Sequence, residues 1–238
     1  MGNKVHPRIF RTAVIYGWDS KWFADKRNFP RLLREDVQIK EFLKTKLKDG
    51  AVDHISIERT PRAITVTVHT GKPGVVIGRG GAGIEDLKKQ LRRMLMRKDG
   101  GKMVVNLNVV EITNPSLSAQ LVVQSMIGEL ERRMPFRRVL KQHLERSQKA
   151  GAKGVRLVVA GRLNGAEIAR TEKLVWGSVP LHNLRADIDY ASEPARTIAG
   201  AIGVKCWIYK GDVFDKDIAA KAAEAPAAPA RRPSSPRK

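Results

Sequence analysis

Between residues 71 and 83 the chain reads Gly-Lys-Pro-Gly-Val-Val-Ile-Gly-Arg-Gly-Gly-Ala-Gly, and an amphipathic pattern follows at once. Gly78, Arg79, Gly80 and Gly81 form a tight loop between two apolar segments. Without Cβ atoms its backbone can turn sharply and lie against another backbone. The helix that starts behind it presents N–H groups with no intrahelical acceptor, and Arg79 adds a positive charge. A sugar-phosphate chain is the ligand this chemistry suits. Gly78, Gly80 and Gly83 also match the G-x-G-x-x-G of dinucleotide-binding folds. That fingerprint needs a full buried strand before it and an acid about 20 residues beyond. Val75-Val76-Ile77 is three residues long, it follows Gly71, Pro73 and Gly74, and the nearest acid is Asp99 in the turn Lys98-Asp99-Gly100-Gly101. The match is therefore read as accidental, which leaves a phosphate-contacting loop or a plain glycine-rich connector.

A second cluster lies between residues 132 and 156, where Arg132, Arg133, Arg137, Arg138, Lys141, Arg146, Lys149, Lys153 and Arg156 face the single acid Glu145. At about 100° per residue, Phe136, Val139, Leu140, His143, Leu144, Ser147 and Ala150 fall within one apolar arc. Arg137, Arg138, Lys141, Gln148 and Lys149 fill the opposite face. Charge runs are usually solvated helix faces. This one is one-signed, and like charges at i, i+3 and i+4 repel unless an anion lies nearby. The reading preferred is a surface that tracks phosphates. His143, inside the apolar arc, is read as a core residue.

Charge and composition support a polyanionic partner. The 238 residues carry 45 Lys and Arg against 24 Asp and Glu, a formal charge of +21, and 42% are hydrophobic. Self-repulsion at that charge opposes compaction. No apolar run approaches the roughly 20 residues that span a bilayer, so nucleic acid is favoured over membrane. The first residues lack the apolar centre of a secretory signal, so the mature chain is expected to begin near Met1. His6 stands where a myristoylation signal needs Ser or Thr. Cys206 is the single cysteine, which excludes an internal disulfide and any zinc site built on several thiolates. The five histidines are scattered, no nucleophile elbow, H-E-x-x-H or phosphate-loop signature occurs, and no metal, cofactor, catalytic residue or small-molecule substrate is expected.

The periodicity places these segments on an α+β scaffold. Residues 1–30 are basic and aromatic with weak periodicity and read as an extended arm. From Val37 a helical stripe runs through Ile39, Phe42, Leu43 and Leu47. A hairpin follows, with Ile55 and Ile57, then Ile64, Val66 and Val68, turned inward, and Thr60-Pro61-Arg62 as its turn. After the glycine loop comes a helix from 82 to about 97 with Ile84, Leu87, Leu91, Met94 and Leu95 on its stripe, then a strand alternating Met103, Val105, Leu107 and Val109. Asn114-Pro115 is read as the start of a helix over 116–131, and a second helix runs from near Pro135 to Ala150. Strands are expected at 155–159, about 167–175, 184–190 and 204–209. The tail from about residue 215 to 238, rich in Ala, Pro and Arg, is expected to be disordered.

The α-β-β-α-α-β order, with G-x-x-G between the second and third helices, resembles the type II KH RNA-binding domain. Several longer segments extend the likeness: GNKVHP at 2–7, ERRMPFRR at 131–138, GRLNGAEIARTE at 161–172, VPLHNLRADIDY at 179–190 and IGVKCWIYKG at 202–211. In this order they resemble the bacterial form of the small-subunit ribosomal protein three family over roughly residues 1–214. The resemblance implies a basic N-terminal arm at 1–30, a type II KH domain at 31–113 and a C-terminal domain of two helices on a mostly antiparallel sheet at 114–214. It also implies a place in the head of the small subunit of the cytoplasmic ribosome, held by ribosomal RNA beside ribosomal proteins ten and fourteen. In that family the basic helix after the KH domain lines the mRNA entry channel and helps open mRNA structure, and the matching positions are Arg137, Arg138 and Lys141. The family usually has two basic or polar residues inside the G-x-x-G, where this chain has Arg79 and Gly80. A free-standing KH-type RNA chaperone and a dinucleotide-dependent enzyme are the alternatives from other classes.

Overall fold

A computed structural model of the chain describes residues 4–61, 63–99 and 104–214. The C-terminal tail, Arg62 and Met103 lie outside the described residues. Two four-stranded sheets, each with its own apolar core, make up the fold. The elements of the first half are α1 (Pro7–Phe10), β1 (Ser20–Lys21), α2 (Phe29–Lys46), β2 (Val52–Arg59), β3 (Ala63–Thr70), α3 (Pro73–Ile77), α4 (Ala82–Asp99) and β4 (Val104–Glu111). Those of the second are α5 (Ala119–Glu131), α6 (Phe136–Lys149), β5 (Gly154–Gly161), β6 (Arg170–Gly177), β7 (Ala186–Thr197) and β8 (Gly200–Asp212).

In the first sheet the order is β1-β2-β3-β4, with β2 and β3 antiparallel and β4 parallel to β3. Alternation in β3 buries Ile64, Val66 and Val68 completely, and these meet Ile39 and Leu43 of α2 and Leu87 and Leu91 of α4 in one core. α2 starts at Phe29, eight residues before the apolar stripe at Val37, so the helix takes in the end of the expected arm. The reason is electrostatic. Glu35 and Asp36, on its early turns, are buried against Arg59 of β2, whose Nη1 lies 3.0 Å from Glu35 and Nη2 2.6 Å from Asp36. Trp22 of the arm donates its indole N–H to Asp36 at 2.7 Å. Carboxylates at core positions hide from a hydropathy pattern.

The arm is not extended throughout. It forms α1 and the short β1, which pairs parallel to β2, and it inserts Arg11, fully buried, against the second half. Arg11 donates to the carbonyls of Pro7, Leu181 and Asn183 at 2.9, 3.0 and 2.8 Å. Tyr16 donates its hydroxyl to Asp187 at 2.5 Å. Burial, then the Asp187 charge, raises the Tyr16 pKa far above the usual phenol value.

The second sheet, ordered β6-β5-β8-β7, is antiparallel throughout. α5 and α6 cover one face, with Val122, Val123, Met126, Val139 and Leu140 packed on Val155, Leu157, Val204, Cys206 and Ile208. Two boundaries differ from expectation. α5 begins at Ala119, where the Ser118 hydroxyl accepts from the Leu121 N–H at 3.3 Å, and Asn114 opens only a 3₁₀ turn with no side-chain cap. β7 and β8 form a hairpin of 12 and 13 residues, longer than expected at 184–190 and 204–209. Pro194 and Gly203 interrupt the sequence pattern, yet they pair directly, and β7 is an edge strand that can carry a proline.

Candidate nucleic-acid interface

Gly78 joins α3 to the loop with φ 72° and ψ 178°, a conformation that only glycine adopts readily. A Cβ there would stand 3.0 Å from the Gly83 nitrogen, and a Cβ on Gly83 would stand 3.0 Å from the carbonyl oxygens of both Val76 and Ile77. The short α3 and the start of α4 thus meet backbone to backbone. Gly83, the third glycine of the apparent dinucleotide fingerprint, serves this contact. What precedes the loop is a helix, so the fingerprint lacks its strand. Gly80 has φ 60° and Gly81 has φ 81°, both with open space where a Cβ would project. Arg79 and Gly80 are exposed and Gly81 is half-buried at the rim. The loop offers its backbone and one guanidinium to solvent.

The second cluster is built from the opposite logic. Val139, Leu140, His143 and Ser147 are buried in the second core, with Phe136 and Leu144 packed beside them, as the helical wheel required. Burial lowers the His143 pKa, against a smaller raising effect from Glu129, whose Oε1 lies 3.2 Å from its Nε2. A neutral core imidazole follows. With that arc fixed, Arg137, Arg138 and Lys141 are exposed and form no ion pair with any described residue. Arg137 stacks its guanidinium 5.7 Å above the Phe136 ring. Arg132 and Arg133, also exposed, occupy the turn from α5 to α6, and Arg133 takes a left-handed conformation with φ 63°. Five cations therefore run along one turn and the first turns of one helix.

The glycine loop and the α6 face belong to different halves. Between the halves lies a cleft of about 910 Å³, lined by Lys44, Lys48, Lys72 and Arg132 with Glu131 and Glu193. The seam is tied by Ser118, which donates to Asp53 at 2.6 Å, and by Gln124, which donates to the Val52 carbonyl at 2.8 Å. Burial pushes the Asp53 pKa up, but hydrogen bonds from His54 and Ser118 outweigh it and hold the carboxyl below its usual value. His54 stacks on His69 with ring centroids 4.0 Å apart. No residue of this seam stood out in the sequence, because its members are distant in the chain and polar. Among the described residues no group of His, Cys, Asp and Glu could hold a metal ion, and no helix is long and apolar enough to cross a membrane.

Residues 38–117 match the KH domain family, and residues 126–208 match the family described as ribosomal protein S3, C-terminal domain. Small ribosomal subunit protein uS3 of Oenococcus oeni is 51% identical over 229 residues, covering 93% of this chain and 86% of its own. The chain belongs to the uS3 family. The uS3 protein of Desulforamulus reducens is 50% identical over 214 residues, covering 90% of this chain and 94% of its own. That of Laribacter hongkongensis is 45% identical over 221 residues, covering 93% and 92%. uS3 is a structural, non-enzymatic ribosomal family. Membership rules out the dinucleotide-dependent enzyme, in agreement with the helix found where that reading needs a strand.

Proposed function

We propose that this chain is a structural constituent of the small-subunit head, bound to ribosomal RNA beside ribosomal proteins ten and fourteen, and that α6 lines the mRNA entry channel and assists unwinding. One observation carries the finer reading. Arg137, Arg138 and Lys141 stand exposed on a helix whose other face is locked into a core, so their positions are set without any ion pair of their own.

Unwinding by such a face is an equilibrium effect. Cations that hold single-stranded phosphates lower the free energy of the open form, and the pairing equilibrium shifts by the difference in affinity for the two forms. No nucleotide hydrolysis is needed from this chain, since the translating ribosome supplies the motion. Arg132 and Arg133 extend the same track around the turn. The loop from Gly78 to Gly81 would hold a sugar-phosphate backbone through its N–H groups and Arg79, as KH domains clamp single strands.

The test compares two messages. Reconstituted ribosomes carrying R137A/R138A/K141A are expected to assemble normally, to translate unstructured message at near wild-type rate, and to stall more at a stable hairpin downstream of the start site. Equal slowing on both messages, or none on either, would contradict the proposal.

A further inference from the structure

The face of the second sheet opposite α5 and α6 forms its own surface. Cross-strand register lays it out in rows: Val175, Arg156, Trp207 and Tyr190, then Lys173, Val158, Lys205 and Ser192, then Thr171, Ala160, Gly203 and Pro194. Three of these twelve positions are basic and none is acidic. Of the acids in these strands, Glu172, Asp189 and Glu193 fall on the helix side, paired in register with Val159, Ile208 and Val204, and Asp187 and Asp212 lie beyond these rows at the bulged end of the sheet. These three rows therefore carry positive charge only, although the strands carry both signs.

The first row is a stacking platform. Trp207 and Tyr190 have ring centroids 5.0 Å apart, the Arg156 guanidinium lies 5.1 Å above the Trp207 ring, and His6 of the arm meets Tyr190 edge to face at 4.7 Å. Buried Nε of Arg156 has no hydrogen-bond partner, and no described residue forms an ion pair with this side chain. Lys173 and Lys205 are exposed, two strands apart, or about 10 Å at normal strand spacing. Beyond the row of Gly154 and Tyr209 the segment carrying Val179 and Leu181 covers the sheet, and His6 closes the β7 side at Tyr190, so the platform opens toward Arg156, Lys173 and Lys205.

We infer that this open sheet face binds single-stranded RNA, with bases stacking on Arg156 and Trp207 and phosphates held by Lys173 and Lys205. Aromatic and guanidinium planes on an antiparallel sheet, flanked by lysines and free of acids, are what a splayed single strand requires. The surface is separate from both the glycine loop and α6, so its failure and theirs are read independently.

The experiment uses the full chain and a twelve-nucleotide oligouridylate carrying 5-iodouridine, with photocrosslinks mapped by mass spectrometry and affinity followed against salt. Crosslinks are expected at Trp207 or Tyr190. K173E/K205E reverses two exposed charges, so it is expected to keep the wild-type melting temperature while losing those crosslinks, weakening binding fivefold or more and lowering the salt slope by at least about 1.4, from 0.7 per phosphate. R137A/R138A/K141A is expected to retain them. Wild-type crosslinks confined to residues 78–81 and 132–141 would overturn the inference, and that is the result a face reserved for a protein segment would give. Unchanged affinity and crosslinking in K173E/K205E would overturn it equally, as would loss of the sheet crosslinks in the α6 variant.

Discussion

The two halves present their cations by different means. In the first, the glycine loop holds its shape through backbone conformation and a glycine-to-glycine contact, on a scaffold whose edge is pinned by the buried Arg59, Glu35 and Asp36. In the second, α6 is anchored by an apolar arc and the cations project from the other side. A surface made of backbone cannot change its contacts without changing its fold. A surface made of side chains on an anchored helix can.

The largest expected effect falls on the first half. R59A leaves Asp36 buried without its cation and Glu35 with only the long contact to Arg31 at 3.9 Å, which costs about 3–5 kcal/mol, and urea denaturation is expected to show it as a loss of cooperative folding or a sharply lower midpoint. G78A comes next. An alanine in that conformation costs about 1–3 kcal/mol and drives its Cβ toward the Gly83 nitrogen. A lower melting temperature is expected together with weaker single-stranded RNA binding, whereas R137A/R138A/K141A is expected to leave melting unchanged and reduce only the salt slope, by about 2. If G78A melted as wild type while losing RNA affinity, the contrast between backbone and side-chain surfaces would fail.

The smallest effect concerns pH and the inner face of α6. Burial depresses the His143 pKa in the folded state below its unfolded value of about 6.5. Above pH 6.5 both states are neutral and the contribution is fully present. As pH falls, the unfolded chain takes up the proton first, and stability declines until the pH passes the folded pKa. His6 and His69 are lowered by burial too and contribute in the same direction. H143Q is therefore expected to flatten part of the stability loss between pH 7 and pH 5, read as urea midpoints at each pH. An unchanged slope would mean that the ring takes up its proton alike in the folded and unfolded chain.

How much could be read from residues alone follows from what each element buries. The α6 face was legible because six apolar or small positions and His143 recur at helical spacing, and the structure buries Val139, Leu140, His143 and Ser147 of that arc with Phe136 and Leu144 packed beside them. The β3 alternation was legible for the same reason at period two. Early α2 was not, since its core positions include Glu35 and Asp36, whose partner Arg59 sits in another element. Gly78 was recognised as a turn former, but the role of Gly83 depends on α3 and α4 meeting in space. The sheet face around Trp207 was invisible too, because its row draws one residue from each of four strands.

Arg11 has a consequence in time. Its acceptors at Pro180, Leu181 and Asn183 lie 169, 170 and 172 positions further along the chain. At roughly 5–20 residues per second, that is on the order of ten to thirty seconds of synthesis before the guanidinium can reach these acceptors, with only the nearby Pro7 carbonyl available until then. Throughout that interval the N-terminal segment must keep Arg11 in water, with the exposed Ile9, Trp18 and Phe23 beside it. The segment between β6 and β7 therefore closes over the first residues made, so the clasp can form only after synthesis has passed β6.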